Sequence, residues 1–135
     1  MVSIRAFGLA ALLSAGLTAF APPPTSPAIA VRRHAHLTKS EPASDDTLAK
    51  SPAAIRLWFS EPVELPVTTV KLASASGVKV ALSALARPDT GKAAPVTAMV
   101  KAPLKAGAYV ITWSTAAKDG HPATGTLNFV VKPAP

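Results

Sequence analysis

Beyond residue 30 the chain alternates. Ile55, Leu57 and Phe59 stand against Arg56 and Trp58, and Val96, Ala98 and Val100 against Thr97 and Met99. Further along, Tyr109, Ile111 and Trp113 stand against Val110 and Thr112, and Leu127, Phe129 and Val131 against Asn128 and Val130. A period of two is that of strands with one face turned inward. Val67 to Ala73 and Val78 to Ser83 read as two more strands, separated by Ser74-Ala75-Ser76-Gly77, which has turn composition. An extended segment from His36 to Ser40 makes seven. Prolines such as Pro42, Pro52, Pro62, Pro88, Pro103 and Pro122 fall at or near the ends of these runs, where a missing backbone donor is tolerated. The pattern predicts an all-β, seven-stranded Greek-key sandwich of the immunoglobulin-like kind, without the Cys-Trp-Cys spacing of antibody domains. Trp113 belongs to the inward set of its strand and is expected in the core. Trp58 lies opposite the inward set, so it is expected to be partly exposed or to cover an edge.

The first thirty residues break the pattern. Arg5 precedes an apolar run from Ala6 to Phe20 that is too short and too alanine-rich to span a bilayer. Ala28-Ile29-Ala30 then fits a small-x-small cleavage site. Residues 1–30 therefore read as a secretory signal peptide and 31–135 as one sandwich domain outside the cytoplasm. No later apolar run is long enough for a membrane helix, so no span is expected after signal cleavage. The formal net charge of +7 is spread over isolated lysines with acids interleaved. Nucleic-acid binders concentrate their cations on one face or interleave them with exposed aromatics, so no nucleic acid is expected. The spread reads first as an ordinary solvated surface, with attraction towards anionic lipid or an acidic partner as the lesser reading.

The chain has no cysteine and three histidines. Metal chemistry would therefore run on imidazole, carboxylate and amine, donors that suit tetragonal Cu(II) and leave Cu(I) or a zinc-thiolate site without support. Asp119 and His121 are two apart, as are His34 and His36. In extended backbone, residues at that spacing point to one side and can present two donors to one ion. Each pair has a plainer reading. Lys118-Asp119-Gly120-His121-Pro122 lies between two strands and Asp-Gly is a hairpin signal, while His34 and His36 suit an ordinary exposed pair. The two pairs stand at opposite sequence ends of a fold whose first and last strands can be neighbours, which makes their convergence geometrically possible.

Four segments in order carry a more specific message: His34-Ala35-His36-Leu37 with Ser40-Glu41-Pro42-Ala43; Leu57-Trp58-Phe59-Ser60-Glu61-Pro62-Val63-Glu64; Pro103-Leu104-Lys105-Ala106-Gly107-Ala108-Tyr109; and Asp119-Gly120-His121-Pro122. Together they resemble the CopC family of periplasmic copper-binding, copper-resistance proteins over essentially the whole exported chain. The resemblance implies a periplasmic β-sandwich that binds Cu(II) through His34, as terminal amine and imidazole, with Asp119 and His121. It implies His36 as a possible additional ligand and Glu61 as a carboxylate that steadies a ligand by hydrogen bonding. It further implies a CopD-type inner-membrane copper transporter as partner, sequestration or hand-over of copper as the role, and no catalytic turnover.

Two departures qualify it. Cleavage after Ala30 leaves Val31-Arg32-Arg33 ahead of His34, which displaces the amine chelate and leaves the side chains of His34, His36, Asp119 and His121 to bind. Some relatives carry a methionine-rich loop for Cu(I), whereas Met99 alone follows the signal here. Competing readings are a histidine-brace copper enzyme that oxidises polysaccharides, an immunoglobulin-like interaction module without metal, and a serine hydrolase. The first is disfavoured by a carboxylate in the copper plane and the last by the absence of a nucleophile-elbow motif.

Overall fold

The computed structural model describes residues 35–91 and 94–135, all within one unit, Arg32–Pro135. The expected signal peptide, its expected cleavage point and His34 lie outside the described residues. Eight strands run in order among the described residues: β1 Leu37–Glu41, β2 Asp46–Leu48, β3 Ala54–Phe59, β4 Thr69–Ser74, β5 Lys79–Val80, β6 Val96–Met99, β7 Gly107–Ala116 and β8 Pro122–Val131. They form a three-stranded sheet, β1-β3-β6, and a five-stranded sheet, β2-β8-β7-β4-β5.

The alternation read along the chain is the alternation of burial. Ile55 and Leu57 of the small sheet meet Leu72, Tyr109, Ile111, Trp113, Leu127, Phe129 and Val131 of the large one in a single cluster, so the core lies between the sheets. Phe59 meets the Trp113 ring edge-on across the layers at 5.2 Å between centroids. Such aromatic contacts add about 0.5–1.5 kcal/mol beyond the area they bury. Trp113 is a core residue as expected. Trp58, on the outer side of β3, is half-buried under Lys39, whose Nζ lies 4.3 Å from the ring centroid.

Three details differ from the sequence reading. An eighth strand, β2, pairs in parallel with β8 through Asp46↔Phe129 and Leu48↔Val131. The run from Val67 begins instead with a 3-10 turn, Leu65–Val67, built around Pro66, and β4 starts at Thr69. The run from Val78 to Ser83 pairs regularly at Lys79 and Val80 alone, after which Leu82 makes a single bridge to Val100.

Candidate metal centre

β7 and β8 form a ten-rung antiparallel hairpin whose last pair is Ala116↔Pro122. The chain reverses through Ala117–His121, where the Gly120 N–H donates to the Ala117 carbonyl at 2.9 Å. Gly120 has φ +80, in the left-handed region where a Cβ is penalised, which is why a glycine follows Asp119. Asp119 and His121 are therefore turn residues rather than alternate residues of one extended strand, and the turn brings them face to face. Asp119 Oδ1 accepts the His121 backbone N–H at 3.1 Å, and Oδ2 lies 3.0 Å from His121 Nδ1. The hairpin reading and the ligand reading describe the same five residues.

The spacing suits a shared ion. Metal–nitrogen and metal–oxygen bonds of about 2.0–2.1 Å set at right angles put neighbouring donors about 2.8–3.0 Å apart. The observed 3.0 Å lies on that edge. The Asp119 side chain is 21% exposed and that of His121 50%, so a sheltered carboxylate stands beside an accessible imidazole. Two donors do not complete a tetragonal set. Among the described residues no group of three or more His, Cys, Asp or Glu could hold a metal.

The amino-terminal segment comes to this end of the sandwich, although not as a strand beside β8. β1 and β8 belong to different sheets. Ala35, the residue after His34, is 2% exposed in a small cluster with Val63, Val96 and Ala117, two residues before Asp119. Two locks hold this arrangement. The His36 N–H donates to Ser60 Oγ at 3.1 Å, and the His36 carbonyl accepts the Ser60 N–H at 2.9 Å. Val63 then bridges Ala117, and the Glu64 N–H donates to the Ala116 carbonyl at 3.0 Å. Beneath them, Thr68 Oγ1 donates to the Glu64 carbonyl at 2.7 Å and meets Thr115 Oγ1 at 2.6 Å in the buried interior.

Ser60 is the residue whose part the sequence did not disclose; its place inside the Phe59-Ser60-Glu61 motif was the available signal. Glu61 is half-buried next to Phe59, Val63 and Arg87, whose Nη2 donates to the Val63 carbonyl at 2.9 Å. His36 is exposed. Met99 is paired with Ala54, at the other end of β3 from Ser60 and His36, so its thioether is remote from the hairpin turn.

Comparison with known proteins bears on this end of the fold. The CopC domain family matches residues 37–132. Copper resistance protein C of Escherichia coli is 32% identical over 111 residues, covering 78% of this chain and 86% of that protein. Copper transport protein CutJ of Bacillus subtilis (strain 168) is 29% identical over 105 residues, 73% of this chain and 18% of that much longer protein. Among solved structures, that of PcoC, a methionine rich copper resistance protein from Escherichia coli, superposes with a TM-score of 0.65 and 31% identity over 74% of this chain and 100% of that one.

Proposed function

The chain belongs to the CopC family, and on that premise we propose that it binds Cu(II) in the periplasm, sequestering the ion or handing it to a membrane copper transporter of the CopD type. The ligands are His34, Asp119 and His121, with His36 as an additional donor and Glu61 steadying the set. Residues 1–30 serve as the export signal. The observation that carries this reading is the Asp119–His121 pair at 3.0 Å, in a hairpin turn against whose first residue, Ala117, the residue following His34 is packed. A carboxylate and imidazoles favour the cupric state, and the thioether that would favour Cu(I) sits at the far end of the small sheet. A carboxylate ligand would also stabilise the cupric state against reduction, which supports storage or transfer rather than turnover. Similarity to a segment of a longer copper transport protein supports the hand-over role.

The test is cupric binding by the exported protein, followed by chelator competition and paramagnetic resonance. His121→Ala removes a ligand and is expected to cost more than about 100-fold in affinity, the upper end of what loss of an outer partner costs, with altered nitrogen coupling. Glu61→Gln is expected to cost about 10–100-fold with the coupling pattern kept. Unchanged binding in His121→Ala would refute the assignment. Intact mass with and without copper fixes both the first residue and the stoichiometry.

A further inference from the structure

The end of the sandwich opposite the hairpin tip has a character of its own. Four segments meet there through backbone bonds. The Lys132 N–H reaches the Leu48 carbonyl at 2.8 Å, Leu104 N–H the Ser51 Oγ at 2.8 Å, Lys101 N–H the Ala81 carbonyl at 3.1 Å, and Ala75 N–H the Ala108 carbonyl at 2.9 Å. They carry Lys50, Lys79, Lys101, Lys105 and Lys132, all exposed, and none of these makes an ion pair among the described residues. Of the acids, Glu61, Glu64 and Asp119 lie at the hairpin-tip end, while Asp46, on the strand that pairs with β8 at Phe129, and Glu41 line one groove with Lys50 and Met99. The fold thus gathers five exposed lysines, scattered along the sequence, at one end, where they outnumber the acids that reach it.

The same half holds three of the four large apolar side chains left exposed among the described residues: Val78 at 67%, Met99 at 49% and Val130 at 40%. Val78 adjoins Lys79 in the β4–β5 turn, Met99 ends β6 one residue before the Val100 N–H meets Ala53, and Val130 pairs with Ala108. Unpaired lysines set among exposed valine and methionine are what a protein needs to rest on an anionic bilayer. The cations sense a planar field without one-to-one partners, and the apolar tips enter the headgroup region.

We propose that this lysine-bearing pole docks on anionic phospholipid headgroups. An acidic protein surface would call for paired geometry, whereas these lysines sit on four separate segments beside exposed apolar side chains, which a diffuse lipid charge fits better. β7 is ten residues long, so docking sets the Asp119–His121 turn roughly 30 Å from the membrane plane. The inference is independent of the copper ligands.

The test is co-flotation of the protein recovered from producing cells with vesicles of phosphatidylcholine containing about a third phosphatidylglycerol, against pure phosphatidylcholine. Each lysine near such a surface is worth about fivefold in partitioning, so Lys101→Ala with Lys105→Ala lowers it about 30-fold. Lys50→Ala with Lys132→Ala is a second, independent pair with the same expectation. Lys71→Ala with Lys118→Ala, the latter in the hairpin turn at the opposite end, removes equal charge elsewhere and is expected to cost less than about threefold. Residues 1–34 are common to all variants, and circular dichroism melts confirm each fold. Uptake should also fall between about 0.05 M and 0.5 M salt. Equal uptake on neutral vesicles, no uptake on anionic ones, or equal losses from the pole and control pairs overturns the proposal. Retention on soluble polyglutamate without vesicle uptake overturns it in favour of an acidic protein.

Discussion

Gly125→Ala is the smallest change expected to disturb the sandwich most. Gly125 is paired with Trp113 across the β7–β8 ladder, and the indole lies directly over it. A Cβ at this position would stand 2.5 Å from Trp113 Cζ2, 2.6 Å from Cε2 and 2.8 Å from Nε1. Carbon atoms rest about 3.5–4.0 Å apart, so the ring or the strand must move by roughly 1 Å. The ring has little room, because Phe59 holds its edge contact at 5.2 Å from the opposite sheet. Overpacking of this kind costs about 1–3 kcal/mol, and loss of the aromatic contact about 0.5–1.5 kcal/mol. At about 4–8 °C per kcal/mol for a domain of this size, the melting temperature should fall on the order of 10–20 °C. Urea unfolding followed by circular dichroism and tryptophan fluorescence measures it. Trp113 Nε1 is buried without a partner among the described residues, so Trp113→Phe removes an unsatisfied donor while opening the space the new methyl needs. The double variant should recover at least about 1 kcal/mol relative to the sum of the singles. A melting temperature within about 2 °C of the parent, or strict additivity, would refute the argument.

Thr68→Val strands the Thr115 hydroxyl in the interior, while the Glu64 carbonyl keeps the Val67 N–H at 3.2 Å, and is expected to cost about 1–3 kcal/mol in urea denaturation, with Thr68→Val/Thr115→Val recovering part of it. The Lys39 ammonium hydrogen-bonded to Glu41, with Arg56 on its other oxygen, holds the Glu41 carboxyl below the usual carboxylate range. The folded state therefore gains stability from this group above that range and loses it as pH falls through the lowered value. Because Glu41 is 44% exposed, solvent screening keeps the gain below about 1 kcal/mol, and Glu41→Gln should flatten that part of the acid limb in melts run from about pH 6 to 3. Protons compete for imidazole nitrogens, so cupric affinity should weaken as pH falls from about 7.5 to 5; an affinity constant over that span would contradict the proposed ligands.

The strands that alternate were legible because one face of each is buried; Ile111 and Phe129, 0% and 1% exposed, sit where the period of two puts them. β2 was not legible. Asp46, Thr47 and Leu48 carry no alternation, and their pairing with β8 follows from Asp45, at φ +60, donating its N–H to the Asn128 carbonyl at 2.7 Å, a contact spanning most of the chain. Lys79 and Val80 pair for two residues because the segment then leaves β4 for Val100. At the candidate centre, residue types and the Asp-Gly turn were both readable, but extended backbone was the wrong geometry for Asp119 and His121. Neighbouring first and last strands were the expected route for the amino-terminal segment, but β1 and β8 lie in different sheets, and the segment arrives instead through the Ser60 clamp and the Ala35 cluster, tertiary contacts that no local pattern encodes.

β1 is an outer strand of the small sheet, and its register with β3 slips between Leu37 and Lys39, with Thr38 Oγ1 turned back on the Trp58 carbonyl at 3.1 Å. A straight border strand is an invitation to intermolecular zippering, whereas this kink, followed by a lysine, offers an arriving chain a ladder with a missing step. Crowded copies therefore meet resistance at the margin where the described chain begins.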